Sequence, residues 1–446
     1  MSGRKNIGIW SELSGSSRWK NEGVSRVVGF LIEGAAACDD LTFRVVIPRD
    51  LADVVREDLR TLAAVEGVHW TLHSPEQDEA QEPHQAGSDE MSARYLARFA
   101  NAHVPVDGWV VTFPFFTAAK LLEKPKATLF PDALPFDFPW AWQGDAFWGP
   151  EGHWPNWRAA SNGLMRESDS VITFSRHVAS RHIGRLFEVD PSKIHVIPLA
   201  PPDLSRFIAG DASTKKTEAS RRAAADTLRE YAKTREWNYL ETYPFEECDY
   251  IVISTQDRVT KNIAKAVEAL DHLVRSRHRN LKIIMTAPIH YGADWTPLPA
   301  TIQDNGLFMD VISATDLPRD VHAALYHCAA LTVHPSFFEG IVGALPLFES
   351  ISVGTPALTA RGPHINELLQ LYPAMGKYTF DPYSKHDLAG LIETTLDARD
   401  LTLLDQVEMY SDFSERRTWA RVALEYANAA VGAPPPKHAA WNDETP

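Results

Sequence analysis

The sequence predicts an α/β protein of two domains, each a mainly parallel sheet flanked by helices. Three observations lead there. The chain has 446 residues, more than one ordinary hydrophobic core accommodates, so two domains are expected. In both halves, short β-branched or aromatic runs alternate with helix-length amphipathic segments, the pattern of βαβ units. Between the halves, from Asp203 to about Phe245, that alternation stops. Two such sheets give two Rossmann-like domains facing a central cleft, because open sheets take ligands beyond the carboxyl ends of their strands.

In chain order, the strand candidates of the first half are Asn6–Trp10, Thr42–Ile47, His69–Leu72, Gly108–Thr112, Ala127–Phe130, Ser170–Phe174 and Ile194–Pro198. Their Val, Ile, Phe and Thr content suits pleated, buried positions. Helical spacing of apolar residues fills the gaps at Gly23–Ala37, Leu51–Ala64, Met91–Ala100, Trp157–Ser168 and Arg176–Phe187. The acidic segment Ser74–Glu90 has no period and predicts a solvated loop. Thr214–Trp237 is charged and Ala-rich, an exposed helix joining the domains, with Pro201, Pro202 and Pro244 at its edges.

Alternation resumes with strands at Tyr250–Ser254, Leu281–Thr286, Leu307–Ile312, Leu331–His334 and Pro356–Thr359. Helices are expected at Asn262–Arg275, Asp320–His327, Leu345–Val353, His386–Leu396 and Ser414–Val431. The expected organisation is an N-terminal acceptor-side domain over 1–202, a linker or insert over 203–245 and a C-terminal donor-binding domain over 246–412. A helix over 413–432 then crosses back to the first domain, and a flexible tail occupies 433–446.

Composition narrows the class. An apolar fraction of 44% and a charged fraction of 23% are those of a globular protein. With 44 Lys and Arg against 59 Asp and Glu, the net charge of −15 repels nucleic-acid phosphates, and no basic run offsets it. Cys38, Cys248 and Cys328 are too few and too dispersed for a disulfide framework or a zinc site. The apolar patch Ile7–Trp10 is shorter than a signal peptide requires, and no long uninterrupted apolar stretch follows. A cytoplasmic enzyme is the expectation, and peripheral contact with the inner membrane face stays open because it needs only a surface patch.

The most informative stretch runs from His334 to Pro356. It reads as a buried strand ending at Ser336, a Gly-containing turn and a helix. Pro346 fits the first helical turn, and Gly354 fits the left-handed residue that stops the helix. Free amides in the turn and the positive helix end suit a diphosphate. Glu339 stands at the mouth of the turn and Glu349 lies one turn into the helix; carboxylates there suit a ligand whose phosphates take the amides and whose hydroxyls donate to carboxylate oxygens.

On these residues the sequence resembles the retaining glycosyltransferases of family four, which have the GT-B fold. Their signature is a Glu, seven intervening residues and a second Glu, then a Gly-Thr-Pro turn, which here is Gly354-Thr355-Pro356. The resemblance implies that Glu339 contacts the transferred sugar and Glu349 the ribose, with Gly340, Ile341, Val342 and Gly343 against the diphosphate. Here the interval is nine residues, and the two extra ones fall between Gly340 and Leu345.

Further motifs extend the resemblance. Arg258 and Lys261, in Ser254-Thr-Gln-Asp-Arg-Val-Thr-Lys-Asn262, follow the first strand of the second half and open a helix, where the family holds the donor diphosphate. Lys20-Asn-Glu-Gly23-Val-Ser-Arg26 stands where the family has a Gly-rich turn, making Gly23 a donor-side and Arg26 an acceptor-side candidate; a plain helix start explains it equally well. Phe130-Pro131-Asp132 resembles the family's His-Asp segment with Pro131 in the His position, leaving Asp132 as a catalytic candidate or a simple turn former. Between Phe136 and Trp157 lie five tryptophans, of which Trp140 and Trp142 are candidates for stacking an acceptor sugar; an aromatic core under a long loop is the equal alternative. Phe413–Trp419 resembles the family's closing helix.

The function implied is transfer of a hexosyl group, with retention, from a nucleoside-diphosphate sugar to a glycan or glycolipid in surface polysaccharide biosynthesis. No Asp-x-Asp occurs, so neither a metal nor another cofactor is expected, and Arg258, Lys261 and helix-end amides would stabilise the departing diphosphate. The alternative is a non-catalytic sugar-nucleotide-binding scaffold or regulatory subunit of the same fold. A nicotinamide oxidoreductase is disfavoured because no G-x-G-x-x-G follows a strand.

Overall fold

The computed structural model describes residues 4–13, 15, 19, 22–76, 88–139, 153–208, 216–292 and 296–435. They fall into two compact units. The first holds residues up to Asp137, residues 153–200 and those from Arg417 onward; the second holds Phe138, Pro139 and residues 201–416.

The first unit is built on seven parallel strands: β1 (Lys5–Trp10), β2 (Leu41–Val46), β3 (Trp70–His73), β4 (Gly108–Val111), β5 (Lys126–Leu129), β6 (Ser170–Thr173) and β7 (Ile194–Val196), in the order β3-β2-β1-β4-β5-β6-β7. The register is set at its centre, where Ile7 lies opposite Phe43 on one side and Gly108 on the other. Strands such as Gly108–Val111 and Ser170–Thr173 are buried throughout, because a parallel sheet carries helices on both faces. Those helices are α1 (Gly23–Ala35), α2 (Ala52–Arg60), α3 (Ser88–His103) and α4 (His153–Glu167). The expected helix after Phe174 is wound more widely, as a π-helix over Val178–Phe187.

The second unit repeats the plan with six parallel strands. These are β8 (Tyr250–Ile253), β9 (Lys282–Met285), β10 (Val311–Ser313), β11 (Leu331–His334), β12 (Ala357–Ala360) and β13 (Thr379–Phe380), in the order β10-β9-β8-β11-β12-β13. The third strand begins only at Val311, since Leu307–Asp310 forms turns. Its helices include α5 (Glu218–Thr234), α6 (Ile263–Ser276), α7 (Arg319–Cys328), α8 (Leu345–Ser352), α9 (Pro363–Leu371), α10 (Lys385–Asp397) and α11 (Arg399–Arg416). Both expected α/β halves are therefore present, with all-parallel sheets.

The segment 203–245 is not an exposed connector. Its helix α5 starts in a capping box between Thr217 and Ser220 and buries Ala224, Ala225, Leu228 and Ala232 in the core that also holds Tyr250, Val321, Leu325 and Tyr326. Small side chains on one face let α5 lie close to α7, while Glu218, Arg222 and Glu230 stay exposed. The helix expected over Ser414–Val431 is two helices: α11 ends at Arg416, and α12 (Trp419–Ala430) begins after a Thr418 cap and belongs to the first unit.

Close backbone contacts and side-chain packing together seat α12. An added Cβ would lie 2.2 Å from the Trp419 carbonyl oxygen at Gly34 and 2.1 Å from that of Ala430 at Gly108. The Trp419 indole stacks on Phe30 at 4.5 Å, and Arg417 is anchored by Pro198 O and both oxygens of Glu425. Gly390, inside α10, has nothing within 4 Å of such a Cβ. Gly108→Ala is therefore expected to cost about 1–3 kcal/mol through overpacking, whereas Gly390→Ala should stabilise by roughly 0.5–1 kcal/mol by limiting the unfolded chain. Thermal unfolding of both variants checks the pair.

Candidate functional site

In the second sheet the strand order reverses between β8 and β11, with β9 and β10 on one side and β12 and β13 on the other. In open sheets of this kind, ligands are taken beyond the carboxyl ends of the two strands at such a point. The loops leaving β8 and β11 are stitched together at their bases. Phe337 N–H donates to Thr260 O at 3.0 Å, and Asn262 Nδ2 donates to Pro335 O at 3.3 Å and to Pro382 O at 2.8 Å. Asn262 has φ +53°, a left-handed conformation that Asn tolerates better than most side chains, and it turns the chain into α6.

Across this seam Lys261 meets Glu339. Lys261 Nζ lies 2.7 Å from Oε1 and 2.9 Å from Oε2, and His334 Nε2 donates to Oε1 at 3.0 Å. Burial opposes ionisation of Glu339, but the Lys261 ammonium and the His334 hydrogen bond outweigh it and hold the carboxyl well below its ordinary value. Oε1 is saturated by two donors, while Oε2 keeps one acceptor position for a ligand hydroxyl. Lys261 and Glu339 are both half-buried, so solvent screens the pair only in part. Arg258, half-buried on the same loop, precedes Lys261 by three residues.

The turn after Glu339 is shaped for close approach. Gly343 has φ +75°, and a Cβ there would come within 2.8 Å of the Phe348 ring; its N–H donates to His364 O. Among the described residues, the backbone N–H groups of Gly340, Ile341, Val342 and Ala344 donate to no acceptor. Pro346 sits in the first turn of α8, and Gly354 takes φ +77° just past its end, as the sequence required. Glu349 is fully buried in α8 and accepts from Tyr326 Oη at 3.2 Å. Tyr326 stacks on His322 at 4.6 Å, and His322 Nε2 shares a 3.0 Å hydrogen bond with Ser254 Oγ at the end of β8. The second carboxylate is thereby linked from beneath to the loop that carries Arg258 and Lys261.

The other candidates are placed in the first unit. Asp132 is half-buried, and its Oδ1 accepts from Leu134 N–H at 3.3 Å, the turn-forming role. The Arg26 guanidinium lies 5.8 Å from the Phe30 ring centre, and Gly23 opens α1 with nothing within 4 Å of an added Cβ. Trp157 packs with Phe115, Phe130 and Phe187, the aromatic-core alternative. Lys20, Asn21, Trp140 and Trp142 lie outside the described residues.

Asp137, His177 and His182 bring potential metal-ligating atoms within 4.8 Å of one another. The donor set does not suit a metal. Ala133 N–H donates to His182 Nδ1, so Nε2 carries the proton and gives it to Asp137 Oδ2 at 2.6 Å, while Arg181 holds the other carboxylate oxygen. The cluster instead fixes the segment that contains Asp132.

Sequence reasoning missed several polar groups. His334 is the last residue of a buried strand, and a polar residue closing an apolar run was the available signal. His364 is buried beside it at 6.2 Å between ring centres, and burial pulls its imidazole down to about 3. Asp257 accepts from Thr296 Oγ1 at 2.9 Å, and burial lifts its carboxyl to about 6.

No protein-family profile matches the chain, and no curated protein matches it either. Solved structures do. Sucrose-phosphate synthase from Thermosynechococcus elongatus superposes with a TM-score of 0.63 at 14% identity, covering 94% of this chain and 97% of that one. Anabaena HepE, solved with UDP and glucose, gives a TM-score of 0.61 at 12% identity, covering 95% and 98%. WaaG, a glycosyltransferase involved in lipopolysaccharide biosynthesis, gives 0.60 at 13%, covering 96% and 100%. The chain thus has the GT-B fold of these glycosyltransferases. Among the described residues no helix is long and apolar enough to cross a membrane.

The electrostatics have a measurable consequence. Because the folded-state ionisation of Glu339 is depressed, its contribution to stability is present above the ordinary carboxylate range and is lost as pH falls through the lowered value. Lys261→Met removes the main opposing influence and leaves the desolvation of Glu339. Stability at neutral pH should fall by about 1–3 kcal/mol, less than for a fully buried orphan charge. The acid-unfolding midpoint should move to higher pH, and Lys261→Met/Glu339→Gln should recover part of the loss; circular dichroism against pH follows all three.

Proposed function

We propose that this chain is a glycosyltransferase whose second unit binds a nucleoside-diphosphate sugar. The observation that carries the reading is the Lys261–Glu339 pair at the reversal point of the second sheet, beside the unengaged amides of Gly340, Ile341, Val342 and Ala344. A diphosphate needs cations and N–H donors, and a sugar needs hydroxyl acceptors; this turn offers both within a few residues. Arg258 and Lys261 are assigned to the diphosphate and Glu339 to the transferred sugar. Glu349 is assigned to the ribose, whose hydroxyl would donate to the carboxylate that also accepts from Tyr326. UDP is the nucleotide we adopt, because HepE of the same fold was solved with UDP and glucose.

The chemistry follows from what those groups can stabilise. As the bond between the anomeric carbon and the diphosphate oxygen breaks, negative charge collects on the departing phosphate, where Arg258, Lys261 and the amides act without a metal. The acceptor hydroxyl attacks on the same face and gives its proton to that phosphate, so configuration is retained. Asp132 and Arg26, on the first unit, are the candidates for handling the acceptor, a glycan or glycolipid of a surface polysaccharide presented by peripheral contact with the inner membrane face.

UDP-glucose should raise the melting temperature of the wild-type protein, and glucose should be released slowly to water when no acceptor is supplied. Arg258→Ala and Lys261→Ala should each lower that turnover by about 100- to 1,000-fold, as loss of a transition-state donor does. Turnover within a few-fold of wild type in both variants would remove the phosphate assignment. Binding without any glucose release would identify a non-catalytic sugar-nucleotide subunit instead.

A further inference from the structure

Lys261 and Glu339 stand beyond the carboxyl ends of β8 and β11. Asp249 and Ala329 come just before the amino ends of the same two strands, where Ala330 N–H donates to Tyr250 O at 2.9 Å. Three basic side chains gather at that second end. Lys216, directly before the Thr217 cap of α5, donates from Nζ to Ala329 O at 2.5 Å. Arg399, the first residue of α11, donates from Nη2 to Asp249 Oδ2 at 2.6 Å. Arg221 lies one turn into α5, and its backbone oxygen accepts from the Cys328 thiol at 3.3 Å. Burial pulls the Lys216 ammonium down to about 7, and the nearby charges of Arg221 and Arg399 push in the same direction.

The acidic groups at hand do not balance these cations. Asp249 is engaged by Arg399, Glu246 by Arg229 and Glu218 by Arg222. Burial pushes the Cys328 thiol up to about 12, so it stays uncharged beside Lys216. Burial also pulls the neighbouring His327 imidazole down to about 4. The Nε groups of Arg221 and Arg399 are buried without an acceptor, and the Arg221 guanidinium makes no ion pair with a described residue. Buried donors left unmade are costly, and a cationic spot runs against a net charge of −15.

Three neighbouring cations suit an anion with several oxygens. A guanidinium matches two oxygens of a phosphate and an ammonium takes another, while the positive end of α5 adds to the field. Lys216, Arg221 and Arg399 are half-buried rather than enclosed, so a ligand reaches them from solvent.

We propose that Lys216, Arg221 and Arg399 bind a phosphate group, inorganic or as a monoester, at the amino-terminal end of the second sheet. The site lies at the other end of the strands from the donor turn and does not rest on the assignment made there. The sequence hid it, because Lys216 and Arg221 read as solvated charges of a connecting helix and Arg399 is remote from both.

Inorganic phosphate is titrated into the full chain at constant ionic strength, followed by calorimetry and by melting temperature. Saturable binding with a raised melting temperature is expected. Arg221→Gln should weaken that binding about tenfold or more, as loss of a charge-assisted pair does. Its melting temperature in phosphate-free buffer should hold or rise, because no side-chain bond within the chain is lost and a repulsion of Lys216 is removed. Lys261→Ala, at the donor turn, should leave the Arg221-dependent binding intact. The proposal is overturned if phosphate acts no differently from chloride at equal ionic strength, or if Arg221→Gln binds equally well. It is also overturned if that variant melts lower without phosphate, the mark of a structural arginine, or if Lys261→Ala alone abolishes binding. Phosphatidylcholine vesicles with and without phosphatidic acid separate the two sources of the group. Cosedimentation that needs phosphatidic acid and weakens in Arg221→Gln assigns it to a lipid headgroup; phosphate binding without cosedimentation assigns it to a soluble ligand, and either result upholds the site.

Discussion

An ammonium held against both oxygens of a carboxylate ties two separate loops of the second unit together. Lys261 and Glu339 come from segments 78 residues apart, each leaving a central strand of the second sheet. Neither charge would be stable alone where it stands, because partial burial penalises each, and removing one partner leaves the other desolvated. Together, and with His334 as a third member, they place opposite charges side by side at the carboxyl ends of β8 and β11. The seam below them, from Thr260 to Phe337 and from Asn262 to Pro335, keeps the loops in register so that the pair forms without searching.

The remainder of the second unit supports this arrangement from underneath. Helix α8 packs its apolar face into the core and buries Glu349 completely, a costly position that Tyr326 relieves with a hydrogen bond. Tyr326 lies on α7, which packs against α5, so the helix once taken for a linker lies two layers behind the site. Gly343 is needed for a different reason: its left-handed backbone and the Phe348 ring leave no room for a side chain, and the turn can stay tight enough to present its amides. In the first unit Glu12 is held by different means, the Trp10 indole and the amides of Ala119 and Ala118, and burial lifts its carboxyl to about 7.

What could be read in the sequence was whatever local pattern dictates. The run from β11 through the turn to α8 was legible because a buried apolar strand, Pro346 and Gly354 each constrain the backbone where they stand. The position of Arg258 and Lys261 after a strand was legible for the same reason. That Lys261 and Glu339 belong together was read only through the family resemblance, and that His334 joins them was not read at all, since nothing local records which loops a parallel sheet places side by side. The linker was misread because Ala224, Ala225 and Ala232 are core residues only by virtue of what α7 puts against them; an Ala-rich charged helix looks solvent-exposed without its partner. The two-residue strand β13 has no period to detect, and the break at Arg417–Thr418 depends on Pro198 and Glu425 capturing the arginine.

The measurement that bears most directly on this account is a crystal structure of the protein with uridine diphosphate bound. The account predicts diphosphate oxygens at hydrogen-bonding distance, about 2.7–3.2 Å, from Lys261 Nζ and from backbone amides between Gly340 and Ala344, with Glu339 still holding the other side of the ammonium. A diphosphate bound elsewhere on the molecule, with Lys261 and that turn untouched, would contradict it.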